Sequence, residues 1–419
     1  MREIMMTKEQ IKTLVRDKLS TKRIILFGAG VVAEEFYEAH KHKLNISHCV
    51  SNYESEWGKG NFLGILDVKK YNRSEISKDD YIIVCGPIAF RTIELQLVSE
   101  GFSIYEHFVE SNIATAIFEY KRIVLFYGQC VLRDMYQCIV KVPEFREKYA
   151  SIYTQATTKQ AIVTNRVLYY AKDICDIYIY SPKVLDLGSI YFLFPEDLPK
   201  DCKMISVSNL SVLVYWPQID PRREAYNPWY IHPYKSKRDL DFYHTIYRRE
   251  DMPINQMILD EKSAHKIIET VSSYDFYTEQ QVEKHFAKAM KLVNAAEKNY
   301  NITIGDYIRE NYKRIKLYQN SFHPNKCIIW EYNKRLLKEL NIKCANIDEL
   351  VDNSPEHIHQ GGDVPIYPSV AYRLGLEFVD EKTKYEVMIG NRVEYMTFRE
   401  YVEHYVEYTR RAMEIMQMW

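Results

Sequence analysis

Cys130 stands at a position where a cysteine can do chemistry, directly after an apolar run and a glycine turn. The run 121–127 has the continuous apolar character of a buried parallel strand, and residues 131–140 have helical spacing. Cys130 is therefore predicted in the first turn of a helix, at the carboxyl end of a strand. A helix N-terminus stabilises anions and can hold the pKa of a thiol below the free value of about 8.5. These features make Cys130 a candidate nucleophile or a group that contacts an acyl chain.

A second glycine turn has the spacing of a phosphate-binding loop. After the apolar run 23–27 the sequence continues G-A-G-V-V-A, the pattern G-x-G-x-x-A between a strand and a helix. The glycines allow a tight turn, and the N-terminus of the helix offers N–H groups to a phosphate. A nucleotide-type site is predicted from Gly28, Gly30, Ala33 and Asn52. Asn52 stands where a dinucleotide site prefers an acidic residue on the ribose, which counts against ordinary NAD binding.

Two arginines and a histidine are further candidates. Arg222 and Arg223 precede an aromatic loop at 229–234, and their guanidinium groups could bind the phosphates of a ligand. His323 precedes Pro324, which favours an extended loop conformation at the histidine. Loop histidines are frequent in functional sites, so His323 is a candidate site residue.

A loop near residue 360 carries histidines and an aspartate. His357, His359 and Asp363 could ligate a metal, but their spacing fixes no third strong ligand, and no metal is predicted. The same loop could instead lie near an acceptor site.

The composition excludes several classes of function. The chain has 419 residues, 47% of them hydrophobic and 27% charged, which is the balance of an ordinary globular protein. Its formal net charge of -1 favours neither nucleic acid nor an anionic membrane. It has no apolar run long enough to span a membrane, and residues 1–20 lack the apolar core of a secretory signal. The eight cysteines are scattered along the sequence, which indicates reduced thiols. The cytoplasm is therefore the predicted compartment.

The elements that must position these residues alternate between strand and helix. A helix over 7–19 with a capping box is followed by predicted strands over 23–27, 46–50 and 81–85, which indicates a doubly wound sheet. A second strand–turn–helix unit starts at residue 121. The predicted α/β chain has an N-terminal helix over 1–20, a Rossmann-like domain over 21–118, and a larger α/β domain with a helical C-terminal part over 119–419. The boundary near 110–120 has no Pro/Gly-rich linker.

Further helices are predicted towards the end of the chain, over 274–298, 304–317, 328–340 and 398–418. The last of these has a stripe of tyrosine and methionine on one face. Such a stripe serves packing or a subunit contact, so a homo-oligomer formed through this helix is a possibility that the sequence raises.

Two family resemblances follow from these motifs. On its glycine turn, the turn at 50–52 and the stretch 84–86, the first domain resembles the nucleotide-sugar-binding Rossmann domain of NeuD- and PglD-like sugar acyltransferases. The second domain resembles the WcbI family of bacterial polysaccharide-biosynthesis acetyltransferases. Its Gly128-Gln129-Cys130-Val131 stands where that family has Gly-Asn-Cys-Gln. Three further stretches are similar to the family, at 169–179, 204–218 and 321–325.

The WcbI resemblance implies acyl transfer from acetyl-coenzyme A to a sugar or nucleotide-sugar hydroxyl in capsule or exopolysaccharide assembly. It implies Cys130 at the reacting centre and His323 as a general base or orienting group. Gly128 and Gln129 would then help to hold an oxyanion or a phosphate. Two alternatives stay open: an esterase-like hydrolase of the SGNH type, and a non-catalytic scaffold that binds a nucleotide sugar. Neither nucleic acid nor an integral membrane segment is expected.

Overall fold

The computed structural model describes residues 6–53, 66–86, 90–155, 171–181, 195–208, 214–219, 251–320, 323–358, 362–389 and 392–417. The chain divides into two compact units. The first comprises Met1–Val207 and Leu337–Ala345, and the second comprises Ser208–Leu336 and Asn346–Trp419. This division follows contacts in space. The domain boundary predicted between residues 118 and 119 lies between two sheets that both belong to the first unit. This boundary stays a prediction.

Five short strands form the first sheet of the first unit. They are β1 (Arg23–Phe27), β2 (Ile46–Ser51), β3 (Val68–Lys70), β4 (Asp80–Val84) and β5 (Phe108–Glu110). Their order across the sheet is β3-β2-β1-β4-β5, and all neighbours are parallel. The helices of this part are α1 (Lys8–Thr21), α2 (Val31–His40), α3 (Phe90–Ser99) and α4 (Ser111–Phe118). The central strands are buried almost throughout, as is typical of a parallel sheet covered on both faces.

The second sheet of the first unit is also parallel. Its strands are β6 (Arg122–Gly128), β7 (Tyr149–Gln155), β8 (Ile177–Tyr180) and β9 (Lys203–Ser206), in the order β7-β6-β8-β9. The helices α5 (Cys130–Ile139) and α6 (Pro143–Lys148) connect β6 to β7. The two parallel sheets confirm the predicted α/β fold class, including the Rossmann-like sheet at the N-terminal end.

A buried carboxylate holds α1 to the second sheet. Nζ of Lys12 lies 2.9 Å from Oδ2 of Asp176, and Nζ of Lys8 lies 3.1 Å from Oδ1 of the same residue. The backbone N–H of Ile123, in β6, donates to Oδ2 of Asp176 at 2.8 Å. The predicted capping box at Thr7 is confirmed. The residues before β1 are therefore a structural part of the first unit.

The segment that leads from the first sheet to the second is the helix α4. The carboxylate of Glu110 caps it by accepting the backbone N–H groups of Asn112 at 2.9 Å and Ile113 at 3.1 Å. α4 packs against α1 and against both β6 and β7. The helix explains why the sequence has no Pro/Gly-rich linker between the two sheets.

The described part of the second unit consists of helices and one hairpin. The helices are α7 (Met252–Leu259), α8 (Ala264–Val271), α9 (Glu279–Glu297), α10 (Gly305–Asn311), α11 (Lys326–Glu339), α12 (Ile347–Asp352), α13 (Pro368–Leu374) and α14 (Phe398–Gln417). The antiparallel strands β10 (Tyr385–Ile389) and β11 (Arg392–Met396) form the hairpin. Among the helices of the described ranges, none is both long enough and apolar enough to cross a membrane.

The tyrosine stripe of α14 packs inside the second unit. The hydroxyl of Tyr405 accepts the N–H of Asp251 at 3.1 Å and donates to Oδ1 of Asn255 at 3.0 Å. Tyr401 and Tyr408 are buried on the same helix. These three side chains hold α14 to its own unit, while an oligomer formed through this helix stays a prediction.

Candidate functional site

The turn between β6 and α5 lies at the carboxyl edge of the second sheet. Gly128, the last residue of β6, pairs with Gln155 at the end of β7, and Tyr127 pairs with Tyr180 at the end of β8. Open parallel sheets bind their ligands outside this edge. Gly128, Gln129 and Cys130 therefore lie together at the position where such a sheet has its ligands.

Gly128 is required by the first turn of α5. A Cβ at this position would overlap with Cδ1 of Leu132 and lie 3.1 Å from its Cγ. The carbonyl oxygen of Gly128 accepts a hydrogen bond from the hydroxyl of Tyr153 at 3.4 Å. Because no side chain intervenes, α5 folds back directly over the end of the strand.

Gln129 is the N-cap residue of α5. Its backbone is extended, with φ -88° and ψ -165°, and its own side chain makes no capping hydrogen bond to the helix. The first backbone N–H groups of a helix have no acceptor within the helix, and they carry partial positive charge. The ten-residue helix α5 therefore presents N–H donors beside Cys130.

Cys130 is a partly exposed free thiol and the first residue of α5. Burial raises the pKa of Cys130 above its ordinary value; Arg133 lowers it and Asp134 raises it further, and the net change is upward. The expectation of a lowered thiol pKa is therefore wrong, because desolvation outweighs the favourable charge at the start of the helix.

Three further side chains near this turn were not identified from the sequence. Nη2 of Arg133 lies 3.1 Å from Oδ1 of the buried Asp134, and the charges of both side chains act on Cys130. The ring of Tyr153 stacks on Tyr136 with centroids 5.7 Å apart. Arg133 and Asp134 stand three and four residues after Cys130, so helical spacing could have found them. Tyr153 lies on β7, and only the strand pairing places it here.

The predicted nucleotide-site residues lie at the carboxyl edge of the first sheet. Gly28 has φ +118°, and a Cβ there would overlap with the carbonyl oxygen of Cys85 and lie 3.3 Å from its carbonyl carbon. Only glycine adopts this conformation readily. Gly30 is the N-cap residue of α2, and Ala33 is fully buried in the first turn of that helix.

Asn52 follows β2 at the same edge. Its Nδ2 donates to Oε1 of Gln96, on α3, at 2.7 Å. The amide at the position of the ribose contact is therefore already bonded within the protein. The structure brings Asn52 to the edge where Gly28 lies, and its role in nucleotide binding stays a prediction.

His323 belongs to the second unit, whereas Cys130 belongs to the first. It lies in a short turn in which Tyr318 pairs with Pro324. The N–H of Gln319 donates to the carbonyl oxygen of His323 at 2.9 Å, and the N–H of His323 donates to Oδ1 of Asn320 at 3.1 Å. These bonds fix the backbone of the partly exposed histidine.

Some candidates lie outside the described residues. These are Arg222, Arg223 and the aromatic loop 229–234, together with His359. The phosphate-binding role of the two arginines stays a prediction. Within the described ranges, no group of three or more His, Cys, Asp or Glu side chains is arranged to hold a metal ion.

Comparison with known proteins identifies relatives of the chain. The family model described as "Polysaccharide biosynthesis enzyme WcbI" matches residues 131–344, just over half of the chain. A solved structure of WcbI has a TM-score of 0.51 and 14% sequence identity, covering 70% of this chain and 90% of the other. That structure is of the native protein without a disulfide bond between coenzyme A and one of its cysteines. At this identity the likeness shows the fold alone. No curated protein matches the chain.

Proposed function

Because the chain belongs to the WcbI family of polysaccharide biosynthesis enzymes, we propose that it transfers an acetyl or other acyl group from acetyl-coenzyme A to a sugar hydroxyl in capsule or exopolysaccharide assembly. The observation that carries this proposal is the position of Cys130, a partly exposed thiol at the first residue of α5 and the edge of a parallel sheet. The related structure is of a protein described without a disulfide bond between coenzyme A and one of its cysteines. Cys130 is our candidate for the corresponding cysteine.

The start of α5 supports the binding of an acyl thioester. The side chain of the N-cap residue Gln129 does not cap its backbone N–H groups, which would donate to the thioester carbonyl or to a phosphate. Gly128 leaves the approach to these donors without a side chain. Arg222 and Arg223 would add the cations that the phosphates of coenzyme A require.

The proposed reaction exchanges one bond to the acyl carbon for another. The C–S bond of the thioester breaks, a C–O bond to the sugar forms, and the hydroxyl proton passes to the departing thiolate of coenzyme A. Direct transfer needs a base beside the sugar hydroxyl, the role that we propose for His323. Transfer through Cys130 needs its thiol to lose a proton first, and burial, which raises the pKa of the thiol, opposes that loss.

The first sheet would hold the nucleotide part of a nucleotide-sugar acceptor. Gly28 brings the backbone against Cys85, and the N-terminus of α2 has no side-chain cap after Gly30. Such a turn is suited to a diphosphate. Calorimetric binding of UDP-N-acetylglucosamine to the wild type and to Gly28→Ala tests this role, with loss of affinity expected in the variant.

The first experiment is calorimetric titration of the full chain with acetyl-coenzyme A and coenzyme A. We expect micromolar binding, about -8 kcal/mol. Cys130→Ala removes the thiol at the proposed site, and Cys327→Ala is the matched control, a partly exposed thiol of the second unit. The affinity of Cys130→Ala for acetyl-coenzyme A should differ from that of the wild type, and the affinity of Cys327→Ala should equal it.

The outcomes separate the proposal from its alternatives. Absence of binding by either compound would exclude the transferase and favour the nucleotide-sugar scaffold. Release of free acetate without a sugar acceptor would identify a hydrolase of the SGNH type. Undiminished acyl transfer by Cys130→Ala would remove Cys130 from the mechanism.

A further inference from the structure

In the second unit, several segments that are distant in sequence meet at Asp363 and Val364. Nζ of Lys316 lies 2.6 Å from Oδ1 of Asp363, and the N–H of Glu386 donates to Oδ2 of Asp363 at 2.9 Å. The N–H of Val364 donates to the carbonyl oxygen of Gln319 at 3.1 Å. We define the Asp363 cluster as the side chains of Lys316, His357, Asp363 and Glu386.

His357 faces both carboxylates of the cluster. Its Nε2 lies 3.6 Å from Oδ1 of Asp363 and 3.9 Å from Oε2 of Glu386. Its Nδ1 lies 3.0 Å from Oδ1 of Asn325, whose Nδ2 donates to the carbonyl oxygen of Lys316 at 2.8 Å. Since that amide nitrogen is the donor, Oδ1 of Asn325 accepts and Nδ1 of His357 carries a hydrogen. The cluster holds two carboxylates beside one ammonium group and an imidazole, so it has no excess of positive charge.

Two buried glutamines adjoin this cluster. Gln319 is 0% exposed and Gln218 is 1% exposed, and within the described part of the chain neither amide has a hydrogen-bond partner at its nitrogen or oxygen. Trp216, two residues before Gln218, donates from Nε1 to the carbonyl oxygen of Val364 at 2.9 Å. The segments of both glutamines therefore meet the backbone of Val364.

An amide buried without partners is energetically costly. Each unsatisfied group has lost its hydrogen bonds to water without replacement, and buried polar side chains in folded proteins nearly always have partners. Four such atoms on Gln218 and Gln319 indicate that a bound molecule supplies the missing hydrogen bonds. His357, Asp363 and Glu386 lie beyond residues 131–344, so the matched part of the family covers only part of this site.

We propose that the Asp363 cluster, together with Gln218 and Gln319, binds the hydroxyl groups of a neutral sugar. Each carboxamide offers donors and an acceptor, and a hydroxyl group both donates and accepts. Carboxylates accept from hydroxyls and repel phosphates, which makes coenzyme A a poor occupant. The site would bind the acceptor of the proposed transferase, and in that sense the inference rests on the proposed function.

Saturation-transfer NMR on the full chain tests this site without any acyl donor. The probes are the methyl glycosides of glucose, galactose and mannose, with methyl glucuronide as the anionic comparison. The wild type should bind at least one neutral glycoside, and more tightly than the glucuronide. Gln319→Leu should abolish that binding, whereas Gln256→Leu, at an exposed glutamine of α7, should retain it.

Thermal unfolding separates a binding role from a structural one. Leucine in place of an unpartnered glutamine removes two unsatisfied polar atoms, so Gln319→Leu should melt at the wild-type temperature or above it. If this variant melts lower, Gln218→Leu replaces it. A lower melting temperature in both variants overturns the inference, as does neutral-sugar binding that is absent in the wild type or retained in Gln319→Leu. Binding the glucuronide as tightly as the neutral glycosides overturns the proposed ligand class.

Calorimetry with coenzyme A on the same variants keeps the two proposals apart. Gln319→Leu should bind coenzyme A as the wild type does, because Gln319 is not among the residues proposed to hold coenzyme A. Loss of sugar binding with coenzyme A binding intact supports the inference. Wild-type sugar binding without any coenzyme A binding would defeat the proposed transferase and leave the sugar site standing.

Discussion

The ammonium group of Lys12 lies 3.0 and 2.9 Å from the two carboxylate oxygens of Asp176, although 164 residues separate them in the sequence. Both side chains are buried. Burial alone would raise the pKa of Asp176, but the hydrogen bonds from Ile123 and Lys12, with further support from Lys8, hold it below its ordinary value. This pair connects the helix before the first sheet to a strand of the second.

Asp176→Asn should destabilise the protein strongly. The substitution removes the buried partner of Lys12, whose remaining carboxylate neighbour, Glu9, lies 3.7 Å away, whereas Lys8 keeps its ion pair with Asp201. Breaking a buried ion pair costs about 3–5 kcal/mol. Glu38→Gln is the control, because it breaks an exposed pair with Lys41 on α2 and should change the free energy of unfolding by less than about 0.5 kcal/mol. Urea denaturation measures both. A loss in Asp176→Asn no larger than in the control would contradict the assignment.

The effect of Asp176→Asn should also depend on pH. A carboxyl group whose pKa is lowered on folding contributes stability above its unfolded pKa of about 3.9, and that stability disappears as the pH falls through the folded pKa. The difference between the wild type and Asp176→Asn should therefore shrink below about pH 4. If the difference in unfolding free energy between the two proteins stays constant across this range, the charge of Asp176 is not the cause of that difference.

Gly128→Ala should destabilise the first unit through Leu132. The added methyl group overlaps with the end of that side chain, and such overpacking costs about 1–3 kcal/mol. The double variant Gly128→Ala/Leu132→Ala should cost less than the sum of the two single changes. Gly30→Ala has no atom within 4 Å of the added carbon and serves as the control. Additive single effects in the denaturation measurements would exclude this contact as the reason for the glycine.

Alkylation should reveal the raised pKa of Cys130. The rate of its reaction with iodoacetamide, followed by mass spectrometry of the peptide, should rise with pH through a midpoint above about 8.5. Arg133→Met should move the midpoint upward because a cation is lost, and Asp134→Asn should move it downward. A midpoint below that of a free thiol would mean that the N-terminus of α5 outweighs burial after all.

Glu110 should make the stability of the first unit fall with rising pH. Burial raises its pKa to about 7, although hydrogen bonds from residues 111–113 oppose the shift. The folded state therefore holds a proton that the unfolded chain releases, so stability is greatest below about pH 4. It should fall by on the order of 3 kcal/mol up to pH 7. Glu110→Gln should remove this decline, and the exposed Glu35→Gln should preserve it. Urea denaturation of the wild type and both variants at several pH values measures the decline in unfolding free energy. A decline that persists in Glu110→Gln would contradict the prediction.

Local signals made much of the first unit predictable. The strand 23–27 has the predicted bounds, because a continuous apolar run before a glycine is the signature of a buried parallel strand. The turn at Gly128 and the helix that starts at Cys130 follow from the same kind of signal. In contrast, β3 and β5 have three residues each, and only pairing with their neighbours defines them.

Features that depend on distant residues could not be read from the sequence. The helix predicted over 304–317 ends at Asn311, because the chain then enters the turn that carries His323. The pKa of Cys130 depends on burial, which spacing does not reveal. The Asp363 cluster draws on segments near residues 316, 357 and 386, so single-sequence periodicity gives no indication that they meet.

Leu337–Ala345 belong to the first unit, although the chain reaches them only after most of the second. There the N–H of Ala345 donates to Oε1 of Glu144 at 3.3 Å, and Nζ of Lys203 lies 2.7 Å from Oε1 of Glu339. During synthesis the N-terminal unit of a protein usually folds first, while the rest is still being translated. In this chain residue 345 must emerge from the ribosome before all segments of the first unit are available for folding. The two units therefore mature almost together, and a nascent chain stalled near residue 300 carries two incomplete cores.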